Sequence, residues 1–156
     1  MAEITVKRTI SAPLSEVWAS WDSFGEIDRF NPNLKSSHLI NNSSTTGEGA
    51  MRQCNLADGK NYIRERIVNY EPEKRMVIDI YEGTMPLKNA TATLSFDRVD
   101  VDKTEVNMKM EFTPKMGILG KILIPVMKPQ FRKMLNGLLA GNAAFIERGV
   151  IINAAT

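Results

Sequence analysis

The sequence predicts an α+β domain: a curved antiparallel sheet of seven strands wrapped round one long C-terminal helix, with two short helices after the first strand. Three observations carry this. Apolar and polar residues alternate at period two over 3–10, 89–99 and 104–112, the pattern of strands covered on one face. Apolar residues recur at spacings of three and four over 14–21 and 117–148, the pattern of helices with one buried stripe. Between residues 34 and 112 short turn-forming stretches separate the apolar runs, which leaves no length for the crossovers that parallel strands need.

Each element follows in order. In the first strand Ile4, Val6 and Ile10 share a face, with Arg8 the one polar residue among them. Ser11 is placed to cap the next helix, and Pro13 sits where its missing N–H does no harm. Leu14, Val17, Trp18 and Trp21 line one side of that helix. Gly25 interrupts it, and a second short helix runs to Phe30, closed by Asn31-Pro32. Strands follow at 34–40, 50–56, 60–70, 75–82, 89–99 and 104–112. Asp58-Gly59 is a hairpin turn signal between the second and third of these. On 89–99 the apolar face is Ala90, Ala92, Leu94 and Phe96; on 104–112 it is Val106, Met108, Met110 and Phe112. From Gly117 to Arg148, Leu119, Leu123, Met127, Phe131, Met134, Leu138 and Phe145 keep near-helical spacing. Pro125 and Pro129 each remove a backbone donor, so this is one kinked helix or two.

Composition narrows the function. The 156 residues fit a single domain spanning 1–156, long enough to bury its own core. A net charge of +2 is too weak for nucleic acid, which needs a concentrated basic stripe. One cysteine, Cys54, fits a reducing compartment. With no signal peptide and no apolar run long enough to span a membrane, the expectation is a cytoplasmic protein without an integral membrane segment. The oligomeric state is left open.

Little chemistry is on offer. His38 is the only histidine, and no nucleophile elbow accompanies it. One His and one Cys do not make a zinc site, and no phosphate-binding glycine loop is present, so no metal and no cofactor are expected. His38 shares its strand face with Leu34 and Ile40: it either points into the interior or sits solvated beside a polar loop. On strand 60–70 neither face is cleanly apolar. If Tyr62 and Arg64 face inward they offer donors to a ligand oxygen. If Glu65 faces inward, burial disfavours its charge, and it needs a proton or a partner such as Arg8. The remaining alternative is an ion pair on the exposed face. Glu65 and His38 are the catalytic candidates.

An open curved sheet on a single helix closes poorly, so a hollow is expected between them. Nine methionines are many for this length. Met108, Met110, Met127 and Met134 fall on faces that look at each other across that hollow, where flexible thioethers adapt to varied apolar guests or simply fill the core. Trp21, Phe24 and Phe30 belong to an aromatic concentration near the N-terminus and are the candidates for a rim through which a ligand passes. Tyr81, Phe112 and Phe131 complete the ligand-binding set with Tyr62 and Arg64.

Four stretches, in order over residues 3 to 148, resemble the START/Bet v 1-like (SRPBCC) superfamily, in its polyketide cyclase/dehydrase and lipid-transport branch. They are "ISAPLSEVW" (10–18), "GEGAMR" (47–52), "ERIVNYEP" (65–72) and "MPLKNATATLSF" (85–96). Many relatives carry tryptophan where this chain has Phe30, which keeps the bulk and loses the indole N–H. The resemblance implies the helix-grip fold, a buried Trp18 and a deep cavity for a hydrophobic small molecule. The expected function is therefore a carrier or sensor for a lipid, aromatic or polyketide-like ligand, in a pocket of about 300–1,000 Å³. The alternatives are a polyketide aromatase/cyclase or dehydratase using acid/base residues in the same cavity, and a co-chaperone-like interaction domain. The last requires an exposed apolar patch, which the alternation does not show.

Overall fold

A computed structural model describes residues 1–153; residues 154–156 of the expected domain lie outside the described residues. The elements run β1 (Ala2–Ile10), α1 (Leu14–Asp22), a 3-10 helix (Phe24–Arg29), β2 (Leu34–Leu39), β3 (Met51–Leu56), β4 (Tyr62–Glu71), β5 (Arg75–Gly83), β6 (Leu87–Asp100), β7 (Lys103–Pro114) and α2 (Gly117–Arg148). The seven strands form one antiparallel sheet in the order β1-β7-β6-β5-β4-β3-β2. The chain leaves β1 at one edge and restarts with β2 at the other, so α1 and the 3-10 helix bridge the two edges of the curved sheet. α2 lies along the concave side, against β1 and β7. This is the helix-grip fold.

The alternating faces bury as their pattern requires. Val106, Met108, Met110 and Phe112 on β7 and Ala90, Ala92, Leu94 and Phe96 on β6 are all buried, as are Ile4, Val6 and Ile10 on β1. Arg8 is exposed. Trp18 packs edge-on against Phe96, ring centroids 5.1 Å apart, and tilted against Tyr70. α2 is one helix: Pro125 and Pro129 lie inside it and are exposed, so the lost donors belong to its solvent side. Gly141 sets how closely it docks. A Cβ there would stand 1.9 Å from the carbonyl oxygen of Phe30.

Three local expectations change. Ser11 does not cap α1; its N–H donates to Glu147 Oε2 over 2.8 Å, while the cap position is Pro13 without a side-chain bond. Two register shifts also redirect side chains. One between Leu34 and Ser36 flips the second half of β2. Ser37 then points to the 3-10 helix, donating to Gly25 O, and His38 turns outward. The other, at Val68 of β4, flips that strand after Ile67. Ile63, Glu65 and Ile67 face inward before it and Tyr70 faces inward after it, which is why no single phase fits the strand. Finally, Leu119 and Leu123 do not join the core: they are 61% and 52% exposed. The first turns of α2 run beyond the buried face, which resumes its large residues at Phe131.

Candidate functional site

A cavity of about 110 Å³ lies between the concave face of the sheet and α2. β7 contributes Met108 and Met110, β5 Ile78 and Ile80, and β6 Leu87 and Ala92. α2 closes it with Phe131, Met134, Leu135 and Leu138, and Trp21 and Ile27 form the end wall. It is smaller than the expected pocket because Met108, Met110, Met134 and Phe131 reach into the hollow. Their space is of the order that admits one benzene-sized guest, for which about 150 Å³ has sufficed.

The wall carries one charged pair. Arg52 on β3 stands opposite Glu65 on β4 in the sheet register. Its Nε donates to Glu65 Oε1 over 3.0 Å, and one terminal nitrogen donates to Phe24 O over 3.0 Å. The guanidinium lies 3.8 Å from the Phe24 ring centroid. Arg52 and Glu65 are only 3% and 7% exposed. Cys54, two residues along β3, donates its thiol to the same Glu65 oxygen over 3.2 Å. Burial pushes the Cys54 thiol well up from its ordinary range, and the Glu65 carboxylate adds to this. Both donors meet Oε1; among the described residues Oε2 takes no protein donor.

Hydrogen bonds fix the rest of the wall. Trp21 Nε1 donates to Asn142 Oδ1 over 3.0 Å, and Asn142 Nδ2 donates to Ser20 Oγ. This holds the indole plane between α1 and α2. Asn33 Nδ2 bonds both Asn31 Oδ1 and the carbonyl of Met134, tying the segment before β2 to α2 beside the cavity.

The structure brings Glu65, Trp21, Met108, Met110, Phe131 and Met134 to the cavity and leaves the other candidates elsewhere. Phe24 and Phe30 do not form a rim: they are 0% and 1% exposed. Phe24 lies under Arg52, and Phe30 packs on Trp21 and Phe145 at 5.0 and 5.6 Å. Trp21 is also buried and is wall rather than rim. The half-buried lining residues, among them Asn33, Leu56, Met85, Leu87 and Met134, form the margin instead. Tyr62, Arg64 and Tyr81 sit on the convex face, where Arg64 bonds Gln53 and Glu82 and Arg66 stacks on Tyr81; the inward phase of β4 belongs to Glu65. Phe112 stands behind Phe131, edge-on at 5.0 Å. Met127 packs at the core edge without lining the cavity. His38 is exposed, opposite Gln53 on β3 and so on the other face of the sheet from Glu65. The partner of Glu65 is Arg52, not Arg8. Counting outward from the Asp58-Gly59 turn pairs 52 with 65, so the hairpin signal contained this contact.

The architecture has solved counterparts. A START superfamily protein from Mycobacterium smegmatis superposes with a TM-score of 0.78 at 11% identity, over 94% of this chain and 97% of that one. The protein XoxI from Bacillus cereus gives 0.77 at 19% identity, over 95% and 97%. The Zhui aromatase/cyclase from Streptomyces sp. R1128 gives 0.72 at 12% identity, over 95% and 97%. At these identities the likeness is one of fold. The family model described as polyketide cyclase/dehydrase and lipid transport matches residues 1–144, and the chain belongs to that family.

Proposed function

We propose that the protein binds an apolar small molecule, aromatic or lipid-like, in the cavity between sheet and α2, and releases it unchanged. The observation that carries this reading is the Arg52–Glu65 pair. The one carboxylate lining the cavity among the described residues is neutralised by a guanidinium 3.0 Å away and accepts a hydrogen bond from a thiol. A general base must reach the proton it takes with an oxygen free to accept it; a carboxylate held by a permanent cation serves better as a fixed polar anchor. Glu65 Oε2 is the acceptor left for a ligand O–H or N–H. The remaining wall is apolar, and burial of an apolar guest supplies the affinity.

Guest size follows from the side chains. Without movement the space takes a single ring. Three of the protruding residues are Met108, Met110 and Met134, whose three rotatable bonds let them fold back at little cost. Larger guests therefore enter by methionine rotation rather than by opening the sheet.

Native mass spectrometry of freshly purified protein, followed by extraction, tests the reading. The expected result is a bound apolar compound that rebinds and is recovered with its mass unchanged. A compound recovered dehydrated or cyclised would replace the carrier reading with the aromatase/cyclase one, in which the same carboxylate acts on the guest. That second reading is supported by Glu65 Oε2 and by the fold shared with the Zhui aromatase/cyclase.

A further inference from the structure

The first turns of α2 expose an apolar stripe that the core does not use. Ile118, Leu119, Ile122, Leu123 and Val126 are 77%, 61%, 65%, 52% and 59% exposed, and Met116 just before them is 73% exposed. Their spacings of three and four stack them on one side of the helix. Five large aliphatic side chains in a row on one exposed stripe differ from the scattered apolar residues of an ordinary surface.

Charge identifies the occupant. From Thr113 to Ile146 there is no acidic residue, while Lys115, Lys121, Lys128, Arg132 and Lys133 are basic. The free N–H groups of a helix N-terminus add positive potential, and the first turn holds no acidic side chain to offset it. A second copy laid stripe on stripe would cover the aliphatic residues but offer these cations no acidic side chain from the same segment. An anionic bilayer surface matches both features: the aliphatic stripe enters the acyl boundary and the lysines meet the headgroups. The residue just before the stripe lies beside the margin of the cavity. Lys115 N–H donates to Pro86 O over 3.0 Å, beside the cavity-lining Met85 and Leu87.

We propose that residues 116–126 dock the protein on an anionic membrane surface, with the cavity margin facing the lipid. No helix among the described residues is long and apolar enough to cross a bilayer, so the helix lies in the interface.

Co-sedimentation with phosphatidylcholine vesicles, with and without phosphatidylserine, tests this. Wild-type protein is expected to pellet with the phosphatidylserine vesicles and to be released by salt. The Ile122→Asp/Val126→Asp variant changes only exposed positions and is expected to stay in the supernatant with an unaltered circular dichroism spectrum. Lys121→Gln and Lys128→Gln should each weaken binding about fivefold. The Ala92→Leu variant, altered only inside the cavity, is expected to pellet like wild type, which separates this proposal from ligand binding. Wild type that ignores phosphatidylserine, or an Ile122→Asp/Val126→Asp variant that pellets equally well, overturns it. A dimer in sedimentation velocity that dissociates in that variant, with no vesicle binding, assigns the stripe to a second copy instead.

Discussion

Arg52 Nε donates to Glu65 Oε1 over 3.0 Å while its guanidinium lies 3.8 Å from the ring centroid of Phe24. One buried cation thus joins the 3-10 helix to two strands at the cavity wall. Taking two charges from water is costly, and removing one partner leaves the other unpaired. Glu65→Gln and Arg52→Met should each destabilise the fold by about 3–5 kcal/mol, whereas Arg52→Met/Glu65→Leu together should recover most of the loss. Urea unfolding at neutral pH checks this; additive losses would mean that the pair is not coupled.

Cys54 gives a pH dependence. Its folded pKa is raised, by burial first and by Glu65 second, above the ordinary value of 9.0. The folded state therefore keeps its proton where the unfolded state has lost it. This contribution is complete below about pH 9 and is lost as pH rises toward the folded value. Wild-type stability should fall more steeply than that of Cys54→Ala above pH 9, and a thiol reagent should label the native protein slowly at neutral pH. Parallel pH profiles, or rapid labelling, would contradict the assignment.

The cavity should respond to volume in both directions. Ala92→Leu places extra carbons in the hollow and should abolish guest binding at a stability cost of about 1–3 kcal/mol. Met108→Ala should enlarge it, destabilise the fold by about 2–5 kcal/mol and admit larger apolar guests. Thermal shift with a series of aromatic compounds reads both.

Gly141 tests the docking of α2. A methyl group there meets the Phe30 carbonyl oxygen at 1.9 Å, and backbone cannot yield as a flexible side chain does. Gly141→Ala should cost about 1–3 kcal/mol in chemical denaturation, although alanine is the better helix former. A neutral or stabilising result would mean that α2 rides further from the sheet.

Periodicity carried most of the architecture, because β6 and β7 alternate cleanly and each buried face has one phase. It failed where a single extra residue changes the phase. The shift at Val68 brings Tyr70 to the same face as Glu65, so neither phase of β4 read cleanly and the outward Tyr62 and Arg64 could not be told from the inward Glu65; the one between Leu34 and Ser36 turned His38 outward. Helical spacing placed Phe131, Met134 and Leu138 against the sheet but equally favoured Leu119 and Leu123, since periodicity does not say how far the sheet extends beneath a helix. The aromatic stretch was legible as buried mass; that Phe24 supports Arg52 depends on register across β3 and β4.

The most direct test of the central claim is a methyl NMR spectrum of protein labelled at methionine, titrated with toluene. Met85, Met108, Met110 and Met134 line the cavity, while Met1 and Met116 are 83% and 73% exposed. Saturable shifts are expected at the four cavity methyls, those of Met85, Met108, Met110 and Met134, and none at the two exposed ones. Cavity methyls that stay fixed at saturating toluene, or shifts confined to Met1 and Met116, would contradict it.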